Sequence, residues 1–410
     1  MKRVFSTLLL VAASIQAATP ATAAPDVPSG APIETSRDST PRHYGERWFY
    51  TRGDGIRNPA VLYVADSLDA APRALLGPGT FSKNGAAVLK QWAVSDDGKY
   101  VAYGLSSGGS DAQEWHVFDV DAGKPTDDVL KQVTSSPASW RRDGTGFFYS
   151  RYDEHDKNAT GQSQKLYFHR LGEDQDDDAL VYENAAQPDW RLSGEVSDDG
   201  RWLVIAVHRD AEPNNLVLYR DLAKPWRQKG EKKKVTATGA PGPNVRNMQG
   251  KKIKTPSTIT PVETLIGEWN AAFEFLGSTK NTLYFLTDAD APRRRIVAID
   301  ADNPAKANWK EIVPQSKTAM QNARIVNRSL VVTYTQDTHS VVRTFDLKGK
   351  ALGDIALPGA GTVSNISGRP RDPVLFYVFS TPSAPYAIYR YDLSLQSGGV
   401  WRAPGTSQTK

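Results

Sequence analysis

A short strand-like segment recurs seven times along this chain. Each copy alternates apolar and mixed positions, and most copies end on Asp followed by an apolar residue. Equivalent positions are separated by 53, 51, 51, 79, 46 and 46 residues and are marked by Asp66, Asp119, Arg170, Asp221, Asp300, Asp346 and Asp392. A period of about 50 residues with strand chemistry in every unit is typical of a β-propeller, in which each repeat forms one four-stranded sheet. The sequence therefore predicts an all-β fold, a seven-bladed β-propeller with four-stranded antiparallel blades.

A second repeated element, a tight turn followed at once by an alternating strand, supports the same fold. It occurs at residues 95–103, 142–149 and 197–205. The Asp-Gly step in each copy permits a positive backbone φ, which tight hairpin turns require. The acidic pairs Asp96/Asp97 and Asp198/Asp199 also match a metal site or two catalytic carboxylates. We interpret them as turn residues, because Gly follows directly and the whole element is repeated.

The first residues have the pattern of a secretory signal peptide. Lys2 and Arg3 precede an apolar run over residues 4–15, and Ala21-Thr-Ala23 provides a small-x-small cleavage site. The apolar run is too short to span a bilayer stably. We therefore expect a signal peptide over residues 1–23, cleaved near Ala23, and a periplasmic or secreted protein with no membrane span. Its removal lowers the formal net charge from +4 to +2, because Lys2 and Arg3 leave with it.

The rest of the chain divides by composition. Residues 24–44 are rich in Pro, Ala, Ser and Thr without a period, which predicts a disordered leader. The repeats then occupy residues 45–400, and residues 401–410 form a tail. The longest gap holds an insertion at 223–261 with ten Lys or Arg residues and a single acid. Such a segment can contact an anionic partner, but we interpret it as an exposed loop without one. Trp226 is its only aromatic residue, so base stacking is not supported and we expect no nucleic-acid partner.

Composition and motifs exclude several kinds of active site. The chain has no Cys, which rules out disulfides, zinc-thiolate sites and cysteine nucleophiles. Gly104-Leu-Ser106-Ser-Gly108 matches the nucleophile pattern G-x-S-x-G, but that motif requires a strand-to-helix turn and here follows a hairpin inside an all-β unit. We interpret His116, ten residues beyond Ser106, as a half-buried strand residue rather than its general base. The six His residues show no metal-binding spacing, so we expect no metal and no cofactor.

Several segments follow one another in the order found in a known enzyme family. They include Trp140-Arg-Arg-Asp-Gly-Thr-Gly-Phe-Phe-Tyr-Ser-Arg-Tyr152 and Phe285-Leu-Thr-Asp-Ala-Asp-Ala-Pro-Arg293, together with residues 47–55, 61–69, 95–106, 109–111 and 164–169. Through these segments the chain resembles the N-terminal propeller of the prolyl oligopeptidase (prolyl endopeptidase) family of serine peptidases. The resemblance extends over roughly residues 45–400, except for the basic insertion.

This resemblance implies a function for the propeller. In that family a seven-bladed propeller covers an α/β-hydrolase domain with a Ser-Asp-His triad, and it admits only short, unstructured peptides. The family activity is proteolysis of short proline-containing peptides. The hydrolase sequence lies mostly after the propeller, and this sequence ends at Lys410, about where the hydrolase is expected to begin. We therefore expect no catalytic residue in this chain and no peptide hydrolysis by the chain alone.

The resemblance also implies three substrate-binding candidates, namely Phe148, His208 and Arg209. Phe148, in Gly-Phe-Phe-Tyr, matches an aromatic residue that lines the family's substrate pocket. A core aromatic between blades is the alternative, and the sequence leaves both interpretations open. His208 takes the place of a peptide-contacting arginine, and Arg209 is adjacent to it. Arg191 falls where the family has an apolar pocket residue.

Three functions remain open at this point. The first is a substrate-gating propeller whose partners are short peptides and a separately encoded α/β-hydrolase domain. The second is a stand-alone periplasmic propeller that binds peptides or proteins without catalysis, and the third is the remnant of a lost enzyme. The resemblance further implies that the first and last blades meet through side chains, because no terminal strand completes the opposite blade in this family.

Overall fold

The computed structural model describes residues 37–53, 60–81, 87–107, 112–134, 136–152, 164–209, 212–224, 261–384 and 386–403. Antiparallel strands make up nearly all of the regular secondary structure in this part of the chain. The exceptions are a one-turn helix, α1, at Pro78–Phe81, and two 3₁₀ turns at Gln175–Asp177 and Lys306–Asn308. The all-β prediction is therefore confirmed.

The first two sheets come from the first half of the chain. The first sheet has the order β1-β3-β4-β5, with β2 paired to β3, and its strands are β1 Arg37–Asp38, β2 Arg42–Tyr44, β3 Arg47–Gly53, β4 Val61–Ala65 and β5 Arg73–Leu76. The second has eight strands in the order β13-β12-β11-β9-β8-β7-β6, with β10 paired to β11. Its strands are β6 Ala87–Val94, β7 Tyr100–Ser107, β8 Ala112–Asp119, β9 Lys124–Thr134, β10 Ser139–Trp140, β11 Gly146–Tyr152, β12 Gln164–Arg170 and β13 Ala179–Tyr182.

Four sheets of four strands follow, each in simple up-and-down order. The third sheet has β14 Trp190–Val196, β15 Trp202–Arg209, β16 Asn215–Asp221 and β17 Glu263–Ile266, and the fourth has β18 Phe273–Thr279, β19 Thr282–Thr287, β20 Arg295–Asp300 and β21 Lys310–Val313. The fifth has β22 Ala319–Val326, β23 Ser329–Gln336, β24 His339–Asp346 and β25 Ala351–Ile355, and the sixth has β26 Thr362–Ser367, β27 Val374–Ser380, β28 Ala387–Asp392 and β29 Ser397–Arg402.

The prediction of seven blades is wrong. The described strands form five separate four-stranded antiparallel blades, the first of which carries β2 as an extra strand, and one continuous eight-stranded sheet. The second and third repeat units share that sheet because β9 is 11 residues long, and its Val133 pairs with Arg151 of β11. A sequence period counts units of chain, whereas hydrogen bonds between strands decide where one sheet ends and the next begins.

The repeated turns form as the sequence predicts, but they use only one carboxylate of each acidic pair. Ser95 Oγ donates to Asp97 Oδ1 over 2.6 Å and accepts from Tyr100 N over 2.9 Å, and Gly98 has a φ of +73°. The same bonds recur around Ser197, Asp199 and Trp202. The first acid of each pair takes no part in these bonds and is available for other contacts.

The core lies between neighbouring sheets. One apolar cluster joins the third and fourth sheets around Trp202, which is 1% exposed, and Phe285. Another joins the sixth sheet to the first, where the ring of Trp48 lies 5.6 Å from Phe376. The first and last sheets therefore meet through side chains, in agreement with the expectation from the resemblance. Burial of these apolar faces is the main stabilising contribution in such a fold.

Several predictions concern residues outside the described part of the chain. They are the signal peptide, most of the leader, residues 225–260 of the basic insertion and the end of the tail, and they stay predictions. Residues 37–44, assigned from the sequence to the leader, include β1 and β2. Within the described residues, no helix is long and apolar enough to cross a membrane.

Candidate functional site: a charged channel

The inner strands of the sheets surround a channel. It holds a cavity of about 450 Å³, lined by residues of β2, β6, β14, β18 and β22 and by the loop after β26. Charged and aromatic side chains face this cavity, including Arg42, Tyr44, Trp92, Glu195, Glu274 and Arg324. Its volume lies within the usual range for small-molecule sites, about 300–1,000 Å³.

A cluster of ion pairs contributes to the lining of the cavity; we call it the mouth cluster, and its members are Asp96, Arg142, Asp198 and Arg369, which line the cavity, and Arg371 beside them. Arg369 donates through the same Nη2 to Asp96 Oδ1 and, over 2.9 Å, to Asp198 Oδ1. Arg371 donates to the carbonyl of Asp198 over 2.6 Å, and its Nε lies 3.1 Å from Asp198 Oδ2. Arg142 Nε lies 3.6 Å from Asp96 Oδ2. The cluster joins the eight-stranded, third and sixth sheets, so it reaches across the ring.

Arg369 is the central member of the mouth cluster and is held firmly. Its guanidinium lies 4.7 Å from the centre of the Tyr44 ring and donates to the carbonyl of His43 over 3.2 Å. Burial alone would lower the pKa of Arg369, but the hydrogen bond to Asp96 and the charge of Asp198 outweigh it and raise the pKa. Arg369 therefore stays charged and keeps both of its carboxylate partners.

Beyond the mouth cluster, the channel wall carries charges of both signs. Glu195 on β14, Glu274 on β18 and Arg324 on β22 are exposed to channel water, although protein surrounds the channel. Withdrawal from bulk water raises the pKa of Glu195 to about 7, with Arg324 acting in the opposite direction. The wall can therefore offer both hydrogen-bond donors and acceptors to a bound molecule.

The structure does not bring the three substrate-binding candidates together in this channel. Phe148 is 2% exposed and packs between sheets, with its ring 5.0 Å from that of Phe168. His208 and Arg209 lie at the end of β15, where the Arg209 guanidinium sits 4.7 Å from the Trp269 ring and bonds Glu212 over 2.9 Å. Burial lowers the pKa of His208. Their role in substrate binding stays a prediction.

Ser106 does not form a nucleophile elbow. It lies inside β7 and is 3% exposed. His116, the candidate base, has its Nε2 3.0 Å from Glu114 and stacks on Tyr103. Gly104, the first residue of the motif, has a packing role instead, because a Cβ there would lie 2.9 Å from the Trp115 indole.

We predict that Gly104→Ala lowers the free energy of unfolding by about 1–3 kcal/mol, the usual effect of overpacking a buried site. Gly399→Ala is the matched control, because Gly399 is also on a strand and an added Cβ there meets nothing within 4 Å. Urea denaturation of both variants measures the difference. Equal stability of the two would show that the glycine of this motif is not there for packing.

A buried cluster of ionisable groups lies apart from the residues that line the cavity. His169 donates from one ring nitrogen toward Asp128, at 2.9 Å, and from the other toward Asp178, at 2.8 Å, and the three side chains are at most 2% exposed. Tyr149 donates to Asp178 over 2.5 Å. Such a cluster has no access for a substrate, and its place between β9, β12 and β13 makes it structural. Among the described residues, no group of His, Asp and Glu is arranged to hold a metal ion.

Comparison with known proteins identifies the family. The family model described as "Prolyl oligopeptidase, N-terminal beta-propeller domain" matches residues 30–404. The chain belongs to the prolyl oligopeptidase family. It corresponds to the propeller domain of that family, which confirms the resemblance found in the sequence.

Relatives and solved structures agree with this assignment. The prolyl endopeptidase of Elizabethkingia meningoseptica is 26% identical over 373 residues, which cover 89% of this chain and 47% of that protein. The prolyl oligopeptidase ophP of Omphalotus olearius is 28% identical over 377 residues, covering 86% and 47%. A structure from a structural and mechanistic analysis of two prolyl endopeptidases superposes with a TM-score of 0.75 at 30% identity, over 90% of this chain and 49% of that one. The chain thus spans about half the length of the relatives it matches.

The sequence did not single out Arg369 or Asp198 as members of a site. The tripeptide pattern around Arg369, Arg-Pro-Arg before a buried strand, was available as a signal. The acidic pairs of the repeated turns were a second signal, because the hydrogen bonds of each turn use only one of the two carboxylates. Neither signal shows that these residues meet, since Arg369 lies 273 residues from Asp96 and 171 from Asp198.

Proposed function

We propose that this propeller gates the access of short peptides to the α/β-hydrolase domain of a prolyl oligopeptidase-type serine peptidase. The observation that carries this proposal is the mouth cluster, in which three arginines and two aspartates from three sheets are paired at a cavity of about 450 Å³. Proteolysis of short proline-containing peptides is then the activity of the complete enzyme, with this chain as its selective part. The signal-type N-terminus supports a periplasmic or secreted location.

The dimensions of the channel support a filter for size. A cavity of about 450 Å³ accommodates a few residues of extended peptide and no folded domain. Peptide substrates are also named for relatives, since the prolyl oligopeptidase B of Galerina marginata is described as bound to a 25-residue macrocyclization substrate. That structure is 20% identical to this chain, so its likeness shows the fold alone.

The energetics of the mouth cluster support a gate rather than a permanent plug. Its side chains are 19–44% exposed, so water competes for their hydrogen bonds when they part. Exposed pairs contribute little each, whereas a charge-assisted network is worth somewhat more. Backbone and charged groups of an incoming peptide can replace the bonds between Arg369 and its two carboxylates.

We predict that Arg369→Ala accelerates association of a short peptide with this chain roughly tenfold, which corresponds to a barrier lower by about 1.4 kcal/mol. The probe is a proline-containing hexapeptide with a dansyl group, followed by energy transfer from tryptophan in stopped-flow, since Trp92 lines the channel. Arg390→Ala is the matched control, because Arg390 is exposed on β28 of the sixth sheet. It should change the rate less than twofold.

Two results would contradict the proposal. If the parent chain shows no saturable association with the peptide, the channel does not admit peptides. If Arg369→Ala and the parent associate at the same rate, the mouth cluster does not limit admission. A folded protein that carries the same sequence in a loop should show no association with either chain.

A further inference from the structure

Two arginines face the channel without a carboxylate partner. Arg42 on β2 and Arg324 on β22 both line the cavity. Within the described part of the chain, no Asp or Glu oxygen lies within 4 Å of either guanidinium. The guanidinium of Arg42 instead lies 5.1 Å from the centre of the Trp92 ring. These two side chains contrast with the mouth cluster, where every arginine has an acidic partner.

The two guanidiniums also act on each other. Withdrawal from bulk water lowers the pKa of Arg324, and the positive charge of Arg42 is the next largest cause. Both guanidiniums line the same confined cavity, where two like charges repel each other and attract an anion. Each planar guanidinium presents parallel N–H donors that match the two oxygens of a carboxylate. The arrangement is therefore suited to one carboxylate shared between Arg42 and Arg324.

The neighbouring acids restrict what carries that carboxylate. Glu195 and Glu274 line the same cavity and contribute to the electrostatic environment of Arg324. Glu274 and the ionised fraction of Glu195 repel a molecule with several negative charges, and both carboxyl groups can accept hydrogen bonds from N–H groups. A ligand that satisfies both sets has a carboxylate at one end and N–H donors beside it, which is the chemistry of the C-terminal end of a peptide.

We propose that Arg42 and Arg324 bind the free C-terminal carboxylate of a short peptide inside the channel, and that Glu195 accepts an N–H of the same peptide. This inference rests on the proposed function, because it requires that peptides enter the channel. It adds a preference to that function: the channel holds peptides with a free carboxyl end more tightly than the same peptides with a blocked one. Peptide hydrolysis creates such ends, so the channel also retains fragments that a hydrolase has released.

The test compares one proline-containing tetrapeptide as its free acid and as its C-terminal amide, by isothermal titration calorimetry with the intact chain. We expect the free acid to bind roughly tenfold to a hundredfold more tightly than the amide, as for loss of a charge-assisted hydrogen-bonded pair. Arg324→Gln should reduce this preference to less than threefold. Arg390→Gln, on the exposed face of β28, should leave it unchanged.

Further arms separate the alternatives. Sodium acetate at the same concentration should not displace the peptide, and displacement by acetate would overturn the assignment to peptide ends in favour of a general carboxylate site. Arg324→Lys keeps the charge but loses the planar fork, and an intermediate preference is expected; it also replaces Arg324→Gln if that variant unfolds. If the parent chain binds the free acid and the amide equally tightly, Arg42 and Arg324 do not bind the C-terminal carboxylate. The proposal that the propeller gates peptide access is not affected by that result. If the parent chain binds neither the free acid nor the amide, the proposed function itself is contradicted.

Discussion

Replacing His169 by alanine should lower the free energy of unfolding by about 3–5 kcal/mol, the usual cost of removing one partner from a buried ion pair. The substitution leaves Asp128 and Asp178 buried without the cation between them. Asp128 would still accept from Gly172 N over 2.6 Å, and Asp178 from Tyr149. Those bonds compensate only in part, because neither brings a positive charge.

The same residue should make stability fall at alkaline pH. Burial alone would lower the pKa of His169, but its hydrogen bonds to Asp128 and Asp178 outweigh burial and raise the pKa to about 9. The unfolded value is about 6.5. Because the folded pKa is the higher one, the stabilisation is fully present below pH 6.5 and is lost as the pH rises through about 9. Linkage makes this loss roughly 3 kcal/mol over that window.

Urea denaturation of the parent and of His169→Ala at pH 6, 7.5 and 9 measures both effects. The free energies of unfolding of the parent and of His169→Ala should converge as the pH rises. The parent then loses the stabilisation by protonated His169, which the variant lacks at every pH. His339→Ala is the control, because His339 lies at the β23–β24 hairpin and its ring makes a single 3.3 Å hydrogen-bond contact within the described residues, to the carbonyl of Asp337. If the difference in free energy of unfolding between the parent and His169→Ala stays constant from pH 6 to 9, His169 is neutral in the folded protein.

Asp38→Ala should weaken the closure of the ring and lower the free energy of unfolding by about 2–4 kcal/mol, as expected for charge-assisted bonds to a nearly buried carboxylate. The Asp38 side chain is 9% exposed and accepts from Arg52 of the first sheet over 2.8 Å. It also lies 2.9 Å from Nε of Arg402, which belongs to the last strand of the sixth sheet. Asp38 therefore joins the two ends of the ring through one carboxylate held by an arginine of each sheet.

The packing around Asp38 makes this loss difficult to compensate. Arg402 also donates to Tyr50 over 3.1 Å, and the rings of Tyr50 and Trp401 lie 5.5 Å apart. Without Asp38, Arg52 and Arg402 face each other as like charges beside this aromatic contact. Asp69→Ala provides the control, since Asp69 is exposed in the turn after β4. A difference below about 0.5 kcal/mol between the two variants in thermal or urea unfolding would exclude a role of Asp38 in closure.

The turn residues show which contacts can be predicted from the local sequence. Ser95, Asp97 and Gly98 form the expected turn because both of its side-chain hydrogen bonds join residues within the six-residue segment 95–100. Asp96 has the same chemistry and the same local setting. Its partner Arg369 comes from another sheet, so no local pattern distinguishes the two acids.

Phe148 and the number of blades show a second limit of prediction from sequence. An aromatic residue on a strand suits a substrate pocket or a core equally well, and the sequence alone does not show that Phe148 is 2% exposed and packs with Phe168 and Leu203. The repeat marks seven units of sequence, but seven blades do not follow from it. The pairing of Val133 with Arg151 joins two of those units into one sheet, and nothing in either unit alone specifies that bond.

The sequence by itself determined the all-β class, the turns, the order of the repeat units and the family, because each depends on alternation, turn chemistry or residues in a fixed order. Only the tertiary structure decided that there are five separate blades beside an eight-stranded sheet, that Asp38 joins the ends of the ring, and that Asp96, Asp198 and Arg369 meet at the channel mouth. These features come from contacts between residues far apart in the chain. Such contacts depend on how the sheets are placed around a common axis, and that placement results from the packing of all the sheets together.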